Sequence, residues 1–135
     1  MSGYDNPIRE RIDLALHDFG GAAGVYTRPI RGPKGKQGII RNVGVDVTTA
    51  TVFATTLGKV EVGTAAAPAD YAQLNIPTGV AAGSTVDVAD DTNAISGAAQ
   101  AGAIPADTQV LVTLTEGTGA GLAGAGFPFV EIDWF

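Results

Sequence analysis

The chain has 135 residues, of which 45% are hydrophobic, and it contains 19 Gly, 7 Pro and no Cys. Frequent Gly and Pro disfavour long helices, so the composition favours an all-β sandwich or barrel in a single domain. The absence of Cys excludes disulfides, thiolate catalysis and Cys-ligated zinc.

Charge is divided unevenly along the chain. The net charge is −6, yet the first 41 residues carry seven Lys and Arg against four acids, while the rest carry one against ten. A basic segment on an acidic body is typical of a protein that docks through that segment, and a merely solvated arm is the alternative. The cations are too sparse to predict nucleic-acid binding. We expect a protein made in the cytoplasm without a membrane span or signal peptide.

The first predicted element is a short helix over residues 6–19. Asn6 suits an N-cap, Pro7 suits the first helical position, and a Gly pair at 20–21 would end the helix. Apolar residues recur at helical spacing at Ile8, Ile12, Leu16 and Phe19. This stripe must pack on the rest of the chain or on a neighbouring molecule, and an arm that orders only on binding is the alternative.

Residues 22–38 predict an irregular connector rich in Gly, Pro and cations. Glycines at 32, 35 and 38 recur at every third position, too briefly for a collagen triple helix. Together with the predicted helix, the connector makes an N-terminal arm, residues 1–38, ahead of a sandwich domain, residues 39–135. The cations predicted to contact a partner surface are Arg28, Arg31, Lys34, Lys36 and Arg41.

From residue 39 the pattern becomes that of half-buried strands. The residues predicted to share the inward face of the first strand are Ile39, Val43, Val45 and Val47, with Arg41 interrupting that face. Further short strands are predicted at 51–57, 59–62, 71–76 and 84–88. The stretch 92–102 is small and polar, with room for one loose turn of helix.

Two strands are predicted in the C-terminal third, at 107–115 and 127–134. In the second, Val130, Ile132 and Trp134 alternate with Glu131 and Asp133, which indicates one buried and one wet face. The five glycines within 116–126 predict a loop that packs on nothing, so the two strands are predicted to form a long-looped antiparallel pair. About seven antiparallel strands then predict a jelly-roll-like antiparallel β-sandwich.

Two patterns resemble ligand sites, and the sequence favours a structural role for each. Residues 119–124 match G-x-G-x-x-G, but no helix follows to face a pyrophosphate, so we predict a loop. Asp87, Asp90 and Asp91 could hold a hard cation, but they lack EF-hand spacing and indicate a solvated acidic turn.

Two further patterns resemble catalytic groups. Glu131 and Asp133 could pair for glycoside hydrolysis, as carboxylates of any acidic sandwich could. His17, the only His, has no nucleophile at a recognisable spacing and is predicted to lie on a helix surface. We therefore predict no catalytic residue, no metal and no cofactor.

Five short segments follow one another between residues 32 and 134. They are Gly-Pro-Lys-Gly-Lys-Gln-Gly at 32–38, Val-Glu-Val-Gly-Thr at 60–64, Asp-Tyr-Ala at 70–72, Ile-Pro-Ala-Asp-Thr at 104–108 and Val-Glu-Ile-Asp-Trp at 130–134. In these segments and their order the chain resembles the jelly-roll decoration, or cement, proteins on the outside of tailed-bacteriophage icosahedral capsids. The predicted N-terminal helix lies outside the resemblance.

The resemblance implies a structural virion protein, made in the host cytoplasm, that binds the major capsid protein and stabilises the shell. The basic stretch that contains the five cations would contact the shell, while the acidic sandwich projects outward. A homo-oligomer, trimer or dimer, would bury faces that a thin sandwich leaves exposed. Many weak contacts with a lattice would then add through avidity.

Two other functions stay open. A phage tail or receptor-side module would bind carbohydrate through exposed aromatics, for which the candidates are Tyr4, Tyr26, Tyr71 and Phe135. An enzyme or ligand-binding sandwich would need a polar cluster in a cavity, and a chain with one His and no Cys fits that less well.

Overall fold

The computed structural model describes residues 8–21, 24–88 and 103–135, which form nine strands in two antiparallel sheets. Sheet A contains β1 (Ile8–Asp13), β2 (His17–Asp18), β4 (Gly38–Val52), β7 (Thr85–Asp87) and β9 (Ala123–Trp134). Sheet B contains β3 (Tyr26–Arg31), β5 (Lys59–Gly63), β6 (Ala72–Asn75) and β8 (Gln109–Thr115). The prediction of an all-β sandwich is confirmed. Among the described residues there is no helix with the length and apolarity to cross a membrane.

The strand order is that of a jelly roll. Sheet A runs β1-β9-β4-β7, with β2 also on β9, and sheet B runs β3-β8-β5-β6. Because the chain passes repeatedly from one sheet to the other, its connections gather at two ends. The loop end contains residues 19–21, 24–25, 53–58, 76–84 and 116–122. The terminal end contains residues 32–37, 64–71, 103–108 and 135.

Inward side chains of both sheets form one hydrophobic core. Trp134, which is 1% exposed, closes this core at the terminal end. Its ring lies against Gly32 and Gly38, where an added Cβ would come within 2.3 and 2.5 Å of a ring carbon. Its Nε1 donates a hydrogen bond to Glu10 Oε1 (2.9 Å). Glycine is therefore required at both positions to admit the indole.

The helix predicted over 6–19 is wrong for the residues that the structure describes, and residues 6–7 lie outside them. Residues 8–13 form β1, which pairs with β9 from Ile8 opposite Trp134 to Asp13 opposite Phe129. Ile8 and Ile12 are four residues apart, a spacing that puts two side chains on one face of a strand as well as of a helix. The spacing alone could not separate the two elements.

Residues 26–31, predicted as part of an irregular connector, form the edge strand β3. It pairs with β8 from Tyr26 opposite Leu114 to Arg31 opposite Gln109. Pro29 lacks an N–H, which an edge strand tolerates because one side of its backbone has no partner strand among the described residues. Strands of the sandwich therefore come from both sides of residue 38.

In the first predicted sandwich strand, the residues that face the core differ from those predicted. The register with β9 shifts between Ile40 and Asn42, which marks a bulge at Arg41. Ile40 is consequently buried inward with Val43, whereas Ile39, predicted inward, is half-buried with the opposite parity. The strand runs on to Val52, so only the first two residues of the predicted strand 51–57 belong to it.

The prediction that the two C-terminal strands pair with each other is also wrong. β8 pairs with β3 and β5 in sheet B, while β9 pairs with β1, β2 and β4 in sheet A. Both strands present their apolar faces to the core between the sheets. Two strands can share a core in this way without being neighbours in one sheet. β9 also begins at Ala123, inside the glycine-rich stretch, where Gly124 and Gly126 are buried.

Candidate binding surface

The five cations predicted to bind a partner fall in three regions. Arg31, Lys34 and Lys36 lie at the terminal end, in or beside the turn 32–37 between β3 and β4. Arg28 lies at the groove between β1 and β3, and Arg41 lies on the outer face of sheet A. The structure thus brings three of the five together.

We call the surface made by Arg31, Lys34, Lys36 and Phe135 the basic corner. Its turn is held by backbone and side-chain hydrogen bonds: Lys36 N donates to Pro33 O (3.1 Å) and Gly35 N to Asp107 Oδ1 (2.9 Å). Arg31 Nη1 donates to Asp107 O (2.9 Å). Asp107 offsets part of the positive charge and fixes the turn that carries the rest.

The contacts that Asp107 and Phe135 make at the basic corner were not predicted from the sequence. Asp107 adopts a left-handed backbone (φ 58°), which Asp tolerates better than most residues. Phe135 is paired with Gln37 by two backbone hydrogen bonds of 2.9 Å, and its side chain is 43% exposed. Both contacts join segments far apart in the chain, so local sequence patterns do not predict them.

Arg41 is held on the outer face of sheet A. Its Nε donates to Asp133 Oδ2 (2.7 Å), and Arg9 donates to the same carboxylate, with Nη2 3.1 Å from Oδ2. These hydrogen bonds, first that of Arg9 and then that of Arg41, lower the pKa of Asp133 from its ordinary 3.8 to about 2. Arg41 therefore links β4 to β9 within sheet A.

Arg28 lies at a groove of about 380 Å³ between the edge strands β1 and β3. Its Nη1 donates to the backbone oxygen of Asp13 (3.2 Å) and so bridges the two sheets. The groove walls are residues 10–13 and 28–31, with polar side chains predominating. A guanidinium in this position links the two sheet edges on one side of the sandwich.

The outer face of sheet A also buries an aromatic ring that sequence reasoning missed. Phe129 is 3% exposed, and its ring covers Gly44, where an added Cβ would lie 2.3 Å from Cζ. The guanidinium carbon of Arg11 lies 3.9 Å from the ring centre, a cation–π contact. Arg11 also pairs with Asp13 (2.8 Å) and Asp46 (3.3 Å). The available signal was a Gly within a Val-rich strand.

The loop end carries a second groove, of about 400 Å³, with mainly apolar walls. Val25 and Leu122 line it, the backbone of glycines at 21, 24, 117 and 119 forms much of its rim, and Glu116 adds a carboxylate. Next to it, Leu16 and Tyr26 line a smaller hollow of about 110 Å³. Sequence reasoning assigned no role to these residues as a group.

His17 lies in β2 and not on a helix surface. Its ring contacts Phe19 edge-on, with centroids 4.7 Å apart, and Tyr26 at 6.2 Å. Nε2 is buried without a hydrogen-bond partner among the described residues. Burial lowers the pKa of His17, while Glu116 and Asp18 act in the opposite direction. The neutral imidazole packs here as an aromatic ring.

Strand β9 begins at Ala123, within the G-x-G-x-x-G pattern at 119–124, so the pattern does not open a helix that could face a phosphate. Asp87 accepts from Asn42 Nδ2 (3.3 Å) on the outer face of sheet A, and Asp90 and Asp91 lie outside the described residues. Within 8–21, 24–88 and 103–135, no three His, Cys, Asp or Glu side chains are grouped to hold a metal.

Comparison of the chain with models of protein families, with curated proteins and with solved structures finds no match.

Proposed function

We propose that this protein is a structural virion protein that decorates and cements the outer surface of a tailed-phage icosahedral capsid by binding the major capsid protein. The observation that carries the proposal is the basic corner, where three cations lie in or beside the turn 32–37 that pairs with an exposed Phe at one end of an acidic sandwich. The resemblance of residues 32–134 to capsid decoration proteins supports the same function.

Cations at the same end of the molecule as an exposed apolar side chain suit docking on an acidic protein surface. Opposite charges speed and orient the encounter, while burial of the apolar group slows dissociation. We assign shell contact to Arg31, Lys34 and Lys36. Arg28 and Arg41 are left out because they lie away from the basic corner, at the groove between β1 and β3 and on the outer face of sheet A.

Co-sedimentation with undecorated capsid shells tests the function. At low protein concentration the wild-type protein should bind saturably, at a copy number that is a multiple set by icosahedral symmetry, and more weakly as salt rises. Lys34→Gln should reduce affinity about threefold at low salt, the size expected for one exposed ion pair. Neutralising all three cations should reduce it further and flatten the salt dependence.

Lys59→Gln is the matched control, because it removes the same charge from the other end of the sandwich, where Lys59 begins β5. It should bind shells like the wild type. Equal losses in Lys34→Gln and Lys59→Gln would show that net charge alone matters and would overturn the assignment to the basic corner. Absence of wild-type binding would overturn the function.

The carbohydrate-binding alternative has less support. Tyr26, Phe127 and Phe135 are exposed, but they lie at the loop end, on the outer face of sheet A and at the terminal end. Tyr71 is half-buried, and Tyr4 lies outside the described residues. Stacking on a sugar needs an exposed ring beside polar partners, and these rings do not converge on one surface.

A further inference from the structure

The loop end presents an apolar surface that the proposed shell contact does not use. Leu16, Val25 and Tyr26 are 55%, 64% and 49% exposed, and they flank the groove of about 400 Å³. An exposed apolar cluster of this kind on a small soluble domain is typical of a binding surface. At Gly24 the rim is open to another backbone, because a Cβ at that position would meet no described atom within 4 Å.

The basic corner has the complementary chemistry. Phe135 is an exposed aromatic ring, while Lys34 and Arg31 supply cations near it. Glu116 lines the groove, and Asp18 on β2 lies against Gly21 of its rim. Lys59 begins β5 opposite Thr115, which lines the groove, so one ammonium group offsets part of the charge of these two carboxylates. One end of the molecule is thus an apolar groove with acids, and the other an aromatic side chain with cations.

We infer that the groove at the loop end binds the basic corner of a second copy of this chain, with Phe135 of one copy against Val25 and Leu122 of the next. Aromatic anchors that enter a groove dominate the energy of many interfaces, and flanking charges set their orientation. Two loop ends facing each other would instead bring Glu116 and Asp18 against their own copies, which like-charge repulsion disfavours.

The contact joins two different surfaces, so it is heterologous. The two surfaces lie at opposite ends of β9, whose 12 residues span roughly 36 Å at the rise of an extended strand. A head-to-tail contact between opposite ends adds copies along one direction and forms open stacks rather than a closed ring.

Sedimentation velocity of the full chain over a range of concentrations tests this inference without any capsid shell. The wild type should form dimers and longer species as concentration rises, less so at high salt. Val25→Lys, which places a cation in the groove, should weaken association roughly tenfold or more, as loss of a central interface anchor does. The double variant Lys34→Glu, Phe135→Ser should weaken it similarly. Phe127→Lys is the control, because Phe127 is 45% exposed but lies at neither end.

Mixing the two defective variants gives the decisive result. Val25→Lys keeps an intact corner and Lys34→Glu, Phe135→Ser keeps an intact groove, so an equimolar mixture should form a one-to-one dimer and nothing longer. A wild type that stays monomeric, a Phe127→Lys variant that also fails to associate, or variants that the mixture does not rescue would overturn the inference. Unchanged melting temperatures would show that each variant is folded.

Discussion

Asp133 lies on the outer face of sheet A between two guanidinium groups, with a side chain only 10% exposed. Arg9 reaches it from β1 and Arg41 from the bulge of β4, so one carboxylate fastens three neighbouring strands. Because the pKa of Asp133 is lowered to about 2, the folded state binds fewer protons than the unfolded chain between that value and 3.8. This part of the stability is complete above pH 3.8 and is lost as pH falls towards 2.

Asp133→Asn should lower the free energy of unfolding at pH 7 by roughly 1 kcal/mol, since the two exposed guanidinium partners are screened by solvent. It should also flatten the loss of stability between pH 4 and about 2, because the titrating group is gone. Urea unfolding at several pH values measures both effects.

Asp13→Asn is the control for that experiment, since Asp13 carries an exposed ion pair with Arg11 on the same sheet face. It should change stability by less than about 0.5 kcal/mol at pH 7. A variant at Asp133 that keeps the acid dependence of the wild type would contradict the assignment of the low pKa.

The sequence predicted the wet face of β9, with Glu131 and Asp133 outward, but not the partners of those residues. Arg9 was assigned to a helix, and Arg41 was predicted to bind another molecule. A bulge of one residue turns Arg41 towards Asp133, and the local sign of that bulge was the interruption of the predicted inward face at Arg41. Arg41 and Asp133 are 92 positions apart in the chain, and Arg9 and Asp133 are 124 positions apart. Contacts over such distances depend on strand order, which a single sequence does not specify.

At the scale of elements, β1 is an edge strand of sheet A. Its partner β9 hydrogen-bonds along one side, and its other side has no strand among the described residues. Arg9, Arg11 and Asp13 occupy its outer face, and charged side chains on an edge strand discourage pairing with another chain. The helical prediction failed here because tertiary pairing with β9 outweighs local capping signals.

Amide hydrogen exchange distinguishes a strand from a helix in this segment. Within 8–13, protection should alternate from residue to residue, because only every second amide faces β9. A helix would protect consecutive amides after its first turn. The control is the central strand β9, which is paired on both sides and should show protection at consecutive residues. Uniform protection across 10–13 would contradict the strand assignment.

Other elements were predictable to different degrees. β5, β6, β7 and β8 were found within two residues of their observed bounds, because alternation and turn residues delimit short half-buried strands. β3 was missed because Pro29 and its flanking cations suppress the strand signal. The pairing of β8 with β9 was wrong because adjacent strands in sequence are often, but not always, neighbours in a sheet.

At the scale of the whole molecule, the jelly roll separates two unlike ends by the length of β9. The turn 32–37 and the C-terminal Phe135 meet at one end, and the glycine-rich connections meet at the other. The charge split in the sequence indicated that one region would dock, but it gave no indication of the apolar groove. That groove arises from Val25 and Leu122, which are 97 positions apart and come together only through strand order.

Because the proposed shell contact and the proposed stacking contact use the same basic corner, a copy docked on a capsid still offers its groove to another copy. Wild-type binding to shells at high protein concentration should therefore exceed the number of lattice sites. Val25→Lys should bind with the same initial affinity but stop at the lattice number, since its groove no longer accepts a second copy. Lys34→Glu, Phe135→Ser should be defective in both phases.

Quantitative co-sedimentation across a wide concentration range separates the two phases, with Phe127→Lys as the control that should match the wild type in each. A Val25→Lys variant that loses the first phase would mean that the loop end contacts the shell, and that the cations at Arg31, Lys34 and Lys36 serve another purpose. A wild type that saturates at the lattice number, with no second phase, would limit the corner to shell binding. The two ends of one sandwich can thus be assigned separately, because each variant disables one end and leaves the other intact.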